Sequence, residues 1–518
     1  MDVNDNPAEG GSEIPLLSND SAPATKLEVD AVYRKVAWTL VPFCFATFFV
    51  CYVDRTNISL AAMDMSSDIG LTKSQFGMAS SLFFITYMIF QIPSNEILKR
   101  VGAPLWLGIL LIGWGLASSL TAFVRNVTDL YVLRLLLGIF EAGTIPGVFF
   151  YLGQFFPASR SSGVYGISLA GCAVGMAISA PLAAGFLSMD GVLDFRGWQW
   201  LFLLEGLPAI ILGVGVMFYL PKSPESAPFL TKRERVILES DRTPSKAPVD
   251  GNLNGLLYLL RTVVMNIKLG VIVFCGLLFG TMRYVAMFWT PLWIDALVSG
   301  GGLDWEKAEA TSHSSNSVQV ALLSTLPYAL AAFSTGLFGW TSEKLQDRTI
   351  HCFFLLLIGG LFFSLLPYLA GVDVALGFVA LVCGHIGVNG IWGPYVSLQV
   401  SFMTEENKAF ALAWMSTIGN FSGLFGPMIT GFLADQTGSY KSGIWGTGAM
   451  TIVAGLAIIF VKDAVRENRG KGQVQLNLCR GGVRDHPHVS ITFFNFLQSF
   501  LKLLIIFVLL PLCFYVNG

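Results

Sequence analysis

Leu133-Arg-Leu-Leu-Leu-Gly-Ile-Phe-Glu-Ala-Gly-Thr-Ile-Pro-Gly147 is uncharged apart from Arg134 and Glu141, and the chain runs on to Phe150 without another charge. What surrounds this stretch decides the fold. Hydrophobic residues make up 54% of the 518-residue chain and charged residues only 13%, against about a quarter charged in a soluble domain. Stretches of about 20 predominantly apolar residues recur from Val36 onward, each long enough to cross roughly 30 Å of hydrocarbon. An ordinary soluble enzyme is excluded, and the chain reads as an all-α integral membrane protein.

Twelve such spans stand out, over residues 36–56, 75–98, 104–124, 128–152, 163–188, 198–219, 269–291, 318–341, 350–370, 374–401, 408–434 and 443–461. The longest polar interval, from Pro221 to about Asn254, carries Lys222, Lys232, Arg233, Arg235, Arg242 and Lys246 and divides the spans six and six. The predicted organisation is a cytosolic polar tail (1–35), a six-helix half (36–220), a cytosolic central loop (221–262), a second six-helix half (263–461) and a tail (462–518). Within that tail a further apolar run, 491–516, is compatible with a thirteenth span, an interfacial helix or an imperfect gene model. The first thirty residues lack the pattern of a cleaved signal peptide, so the first span is expected to direct insertion.

Lys and Arg gather at Arg34 and Lys35, Lys99 and Arg100, Arg160, Lys344 and Arg348, and at Lys462, Arg466 and Arg469. The positive-inside rule then places both ends of the bundle in the cytosol. Glu13-Ile-Pro-Leu-Leu17 resembles an acidic dileucine sorting signal one residue short, which leaves the plasma membrane and a vacuolar or lysosomal membrane both open. Seven of the eight cysteines lie in apolar stretches without paired spacing and read as core residues. No metal, cofactor or nucleic-acid partner is expected; the partners implied are the lipid bilayer and a small solute.

The two halves echo each other. Adding 248 to Pro146, Arg160, Gly171 and Gly175 gives Pro394, Lys408, Gly419 and Gly423. A duplicated six-helix unit is the mark of secondary transporters, with the binding site near the midplane between the repeats. The glycine pairs are four residues apart, on one helix face, and are expected to let backbones approach closely. Pro181 and Pro427 are expected to bend their helices.

An ionisable residue near the bilayer centre costs at least about 2.5 to 3.5 kcal/mol on insertion scales, which makes each one a functional candidate. The candidates are Asp54 and Arg55 at the end of the first span, Arg134 and Glu141 in the fourth, Glu205 in the sixth, Arg283 in the seventh and His385 in the tenth. Asp54 and Arg55 are placed near the outer interface. Arg134 and Glu141 are seven residues, about two turns, apart on one face, roughly 10 Å along the axis, which leaves room for a substrate between them. Arginine matches a carboxylate with two parallel hydrogen bonds, and a desolvated carboxylate can take up a proton, so one site can sense anion and proton together. The alternative is that these charges neutralise each other and hold the bundle together.

The chain resembles the anion:cation symporter family of the major facilitator superfamily. The likeness is carried by Tyr52-Val-Asp-Arg-Thr-Asn-Ile58, by the Leu133 to Gly147 stretch, by Gly197-Trp-Gln-Trp-Leu-Phe-Leu-Leu-Glu-Gly-Leu-Pro208 and by Leu220-Pro-Lys-Ser-Pro-Glu225. Phe288-Trp-Thr-Pro291 and Gly419-Asn-Phe-Ser-Gly-Leu-Phe-Gly-Pro427 add to it. The resemblance implies a twelve-helix transporter of organic anions driven by protons, with Arg55 and Arg134 on the anion and Asp54 and Glu141 coupling protons. Tyr52, Tyr87, Ser397 and Asn420 are polar groups that would complete the pocket. Arg283, which no motif requires, is expected to bind a second acidic group. The superfamily's gate loop is degenerate at Asn95, Lys99, Arg100 and Gly102, where Lys99 replaces an acid, and better kept at Gly339, Glu343 and Lys344.

Three function classes follow in order. The first is a proton-coupled organic-anion transporter working by alternating access, as a monomer. The alternatives are a non-transporting sensor of the same ligands, or a transporter of the same fold for inorganic phosphate or another solute. An enzyme comes last, because the histidines are scattered and no serine sits in a nucleophile elbow; Gly166-Ile-Ser-Leu-Ala170 lacks the final glycine.

Overall fold

A computed structural model describes residues 25–241, 267–306, 317–402 and 408–461, and among them every regular element is a helix. The Glu13 to Leu17 segment, Arg242 and Lys246, the tail with its 491–516 run, and most of the polar tail before Lys26 lie outside the described residues.

Helix α1 (Lys26–Ile69) starts at Thr25, whose hydroxyl accepts from the Glu28 amide at 3.3 Å while Glu28 accepts from the Thr25 amide at 3.0 Å, a capping box. It ends at Gly70, whose φ of 68° a side chain would resist. Its 44 residues make a rod of about 66 Å at 1.5 Å per residue. The expected first span, 36–56, is therefore too short, and Asp54 and Arg55 lie well inside the helix instead of at an outer interface. Apolar runs end where polar residues begin, but a helix ends only where backbone bonding stops, and no glycine or proline intervenes between Tyr52 and Ile69.

The N-terminal half continues with α2 (Lys73–Val101), α3 (Ala103–Thr121), α4 (Val127–Glu141), α5 (Thr144–Gly153), α6 (Ala158–Leu187) and α7 (Gly197–Tyr219); α8 (Lys232–Asp241) lies in the central loop. The C-terminal half comprises α9 (Ile267–Val298), α10 (Ser317–Leu345), α11 (Arg348–Val372), α12 (Val374–Gly390), α13 (Trp392–Val400), α14 (Lys408–Thr437) and α15 (Lys441–Ile458). Ten helical stretches, with α4 joined to α5 and α12 to α13, are long and apolar enough to cross a membrane. With α14 and α15 they give the twelve spans expected.

The fourth and tenth spans are not single helices. The first breaks between Glu141 and Thr144, the second between Gly390 and Trp392, and both restart with the same bond: Gly147 N–H to Gly143 O and Tyr395 N–H to Ile391 O, each 2.9 Å. Ile391, Trp392 and Tyr395 are Gly143, Thr144 and Gly147 shifted by 248. Pro146 and Pro394 explain the breaks, since each lacks an N–H and crowds the carbonyl four residues back. Pro181 and Pro427, the prolines singled out from the sequence, lie within uninterrupted helices.

Within the halves, α6 packs on α1 and α7 on α3, while α11 packs on α12 and α15. A Cβ on Gly171 or Gly175 would strike the Phe45 or Phe49 carbonyl of α1, so this pair does serve close packing. Gly423 instead meets the Phe84 ring of the other half, and Gly419 meets nothing within 4 Å. Between halves, α14 packs on α2, α10 on α6 and α9 on α1. Their seam is tight at the end where α1 finishes. There a Cβ on Gly77 would meet the Pro427 carbonyl at 2.5 Å, Asp64 accepts from the Ser317 hydroxyl at 2.6 Å, and Asp435 accepts from the Lys73 and Ser74 amides at 3.0 and 2.8 Å. Toward the other end, Gly163 and Gly166 of α6 and Gly336 of α10 meet nothing within 4 Å.

Candidate functional site

Arg55 projects from the middle of α1 toward the break at the end of α4. Its Nε donates to Glu141 Oε1 at 2.5 Å, and Nη2 forms an ion pair with the same oxygen. Cys51, one turn earlier on α1, donates its thiol to that oxygen at 2.9 Å. The guanidinium carbon lies 5.5 Å from the ring centres of both Tyr52 and Phe83 and 5.2 Å from that of Tyr87, within cation–π range of three aromatic faces. Tyr52 and Tyr87 were expected at the pocket; Phe83 was not.

Arg134 and Glu141 are both buried and share the inner side of α4, as their spacing predicts. Glu141 is nevertheless paired with Arg55 on α1, not with Arg134, so the expected arrangement of a substrate between the two α4 charges is corrected. Arg134 is 5% exposed, and its Nε and Nη2 have no hydrogen-bond partner among the described residues. It lines a small cavity together with Arg55. Ser80, Phe83, Phe84 and Leu137 complete the N-terminal wall, and Tyr284, Met287 and Phe288 form the facing wall from α9. The cavity therefore spans the boundary between the halves.

On the C-terminal side, Tyr284 donates to Asn420 Oδ1 at 3.0 Å and sets its ring edge-on to Phe84 at 4.8 Å. Asn420 thus joins the pocket at one remove. Arg283 lies 4.7 Å from the centre of the Trp392 ring and 5.7 Å from that of Tyr284, with its Nε buried and unpartnered. It also acts electrostatically on Tyr52 of the other half, as Arg55 does. Ser397, in α13, is not among the residues that line the cavity.

Asp54 is not beside the cavity either. Neighbouring residues on a helix point about 100° apart, so while Arg55 faces α4, Asp54 faces α3. There it accepts from the Ser118 hydroxyl and, at 2.9 Å, from Asn57 Nδ2. His385 is fully buried against Thr290 at 2.7 Å and makes ring contacts with Tyr328 and Phe363, the surroundings of a packed core residue.

The gate-loop residues stay within their own halves. Asn95 donates to the Gln91 carbonyl at 2.8 Å, and Lys99 and Arg100 turn back to Glu96 at 3.4 and 3.6 Å. Gly102 ends α2 with φ 99°. Lys344 lies over the Trp340 ring of its own helix and Glu343 is exposed, while Gly339 packs against Gly393.

Phe83, Phe84, Tyr284, Phe288 and Trp392 escaped the sequence reading, since an aromatic side chain facing a pocket and one facing lipid raise hydropathy alike. The usable signal was proximity: Phe83 and Tyr87 sit four apart, and Tyr284 follows Arg283.

The sequence matches the Major Facilitator Superfamily over residues 43–304 and 306–517, which together span both halves. A protein of Agrobacterium vitis named "Putative tartrate transporter" is 32% identical over 440 residues, covering 85% of this chain and 96% of its own. A Pseudomonas putida protein named "Putative metabolite transport protein NicT" is 30% identical, covering 80% of this chain and 91% of its own. Among solved structures, a bacterial homologue of the human lysosomal transporter Spinster, inward-facing and unoccupied, superposes with a TM-score of 0.63 at 15% identity, over 85% of this chain and 96% of that one. With its duplicated, twice-broken helix bundle and matches along both halves, the chain belongs to the Major Facilitator Superfamily of membrane transporters and is not an enzyme.

Proposed function

We propose that this chain moves small organic anions together with protons, by alternating access of its two halves to the cavity at Arg55 and Arg134. The observation that carries the reading is the arrangement of the three α1 and α4 charges. Arg134 presents unpartnered guanidinium nitrogens to the cavity, while Arg55 beside it is held by Glu141. A carboxylate entering the cavity gains most if it engages both arginines, but Arg55 is open to it only once Glu141 lets go. A proton on Glu141 removes the competing charge. Anion and proton therefore favour each other's binding, which is the thermodynamic condition for symport. Asp54, one residue before Arg55, is a second acid available to the same cycle.

Arg283 lies across the boundary in the opposite half, so a second acidic group on the substrate has a counterpart there. The reading favours dicarboxylates, in keeping with the name of the Agrobacterium relative. Both repeats lie in one chain, which supports a monomeric unit. The seam is closed where α1 ends, and the opposite end, rich in Lys and Arg, is the cytosolic one in a plasma, vacuolar or lysosomal membrane.

The test is uptake of labelled L-tartrate by the purified chain in lipid vesicles with the outside acidified. Accumulation that collapses on adding a protonophore is expected. Uptake that ignores the pH gradient would remove the coupling, and uptake of inorganic phosphate in place of carboxylates would change the substrate class.

A further inference from the structure

On the side of α1 that faces α3 and α7, a second polar cluster lies apart from the Arg55–Glu141 pair. Its least accounted-for member is Glu205 of α7, 3% exposed, with neither carboxyl oxygen hydrogen-bonded among the described residues. The polar groups acting on it are Asn57 and Asp54 of α1. Asp54 is fully buried and bonded through Oδ1 to Asn57 and Ser118, while its Oδ2 and Asn57 Oδ1 have no hydrogen-bond partner among the described residues. The cluster is sealed by close packing: a Cβ on Gly206 would meet the Gly115 carbonyl of α3 at 2.6 Å.

Charge separates the two acids. Glu141 and Arg134 of α4 both act on Asp54, whereas among the described residues the one charged group acting on Glu205 is Asp54 itself, another carboxyl. Two neighbouring buried carboxylates, of which only Asp54 has an arginine acting on it, are a poor arrangement, because each bare charge in a low-dielectric site needs a partner. A proton resolves it. A neutral acid supplies the O–H donor that these acceptors lack, and the remaining charge is the one that faces Arg134.

We infer that Asp54 and Glu205 share one proton across Asn57, and that this pair is a proton-binding site of the transport cycle, separate from Glu141. The inference rests on the proton-coupled reading above. With one shared proton the pair carries a single negative charge, which attends Arg134; uptake of a second proton makes it neutral and frees Arg134 for the anion. Transfer between the partners moves a proton from a Glu205 oxygen to an Asp54 oxygen and leaves the sum unchanged. Arg55 is then held by Glu141, while Arg134 answers to both Glu141 and the Asp54–Glu205 pair.

Infrared difference spectra of the full chain in liposomes, taken between pH values, read this without any ligand, through the carbonyl stretch of protonated carboxyl groups. The expected result is a titrating band that Glu205→Gln removes, that Glu205→Asp retains at a shifted frequency, and whose midpoint Asp54→Asn moves by about one pH unit or more, as for coupled sites. The Glu205→Asp variant keeps an acid in place should the glutamine variant fail to fold. A spectrum unchanged by Glu205→Gln, or a midpoint indifferent to Asp54→Asn, would overturn the shared proton. Failure of the coupling reading is visible separately, as wild-type vesicles that show the band yet accumulate no L-tartrate under a pH gradient.

Discussion

The two halves share a backbone plan and differ in what they bury. In the N-terminal half Asp54, Arg55, Arg134, Glu141 and Glu205 converge from α1, α4 and α7. The C-terminal half, broken at the matching place 248 residues on, buries His385 among rings and sets Arg283 against Trp392. The difference separates two requirements that a duplication supplies together. A helix break is set by the local backbone, and Pro146 and Pro394 stand at the matching place in both copies. A charge cluster needs particular partners on neighbouring helices, and here it stands in one copy while the other contributes an aromatic wall with a single cation.

The largest effect should come from the charged half. Arg134→Ala removes an unpartnered guanidinium from the cavity wall, and losing one side of a buried charge-assisted contact costs about 3 kcal/mol. Binding of L-tartrate, measured by calorimetry on the purified chain, should weaken roughly a hundredfold; a loss under about threefold would mean that Arg134 does not hold the anion.

Glu141→Gln should abolish accumulation driven by an acid exterior while exchange of labelled for unlabelled L-tartrate continues, because the glutamine cannot hold Arg55 as an ion pair. Accumulation that survives would pass the coupling role to Asp54 and its partner.

Across the boundary, Arg283→Ala tests whether the aromatic half reads a second acidic group. A hydrogen bond to a charged group contributes about 1.5 to 3 kcal/mol, so affinity for a dicarboxylate should fall at least roughly tenfold and that for a monocarboxylate of similar size hardly at all. Equal losses would reduce the two halves to a single charge cluster with a passive wall.

The smallest effect is expected at the seam. Asp435 of α14 accepts from the first two amides of α2, a capping contact made between halves. Such a cap contributes about 1 kcal/mol, so Asp435→Ala should shift the closed-to-open balance at that end roughly fivefold. Labelling of a cysteine placed at Ser74 would report it, and an unchanged labelling rate would show that the glycine packing at Gly77 closes the seam alone.

Much of this was legible beforehand. Twelve spans, two halves and the shared face of Arg134 and Glu141 follow from periodicity and spacing, because lipid leaves the backbone no choice but helices. The partner of Glu141 was not legible: a spacing of seven places two residues on one face but says nothing of what a neighbouring helix brings to it. The length of α1 was hidden for a related reason, since Asp54, Arg55 and Asn57 lower local hydropathy while their contacts with Glu141 and Ser118 keep them inside. Pro146 and Pro394 drew attention only as a repeated pair, in runs that hydropathy reads as continuous. The resemblance to anion:cation symporters points to Asp54 and Arg55 together, and the turn of the helix sends them to different neighbouring helices.

Helix α1 also has a mechanical consequence. Near its start, Glu28, Asp30 and Lys35 are clipped to Arg233, Arg160 and Glu234, at 3.1, 2.6 and 2.8 Å, and near its finish Asp64 is bonded to Ser317. A rod of about 66 Å is fastened near its start to α6 and α8, and near its finish both to α10 of the opposite half and, through Asp68, to Arg196 and Trp198 of its own. It runs from the central-loop helix past Arg55 to the facing half, so one element ties the cavity charge to contacts on both sides of the boundary.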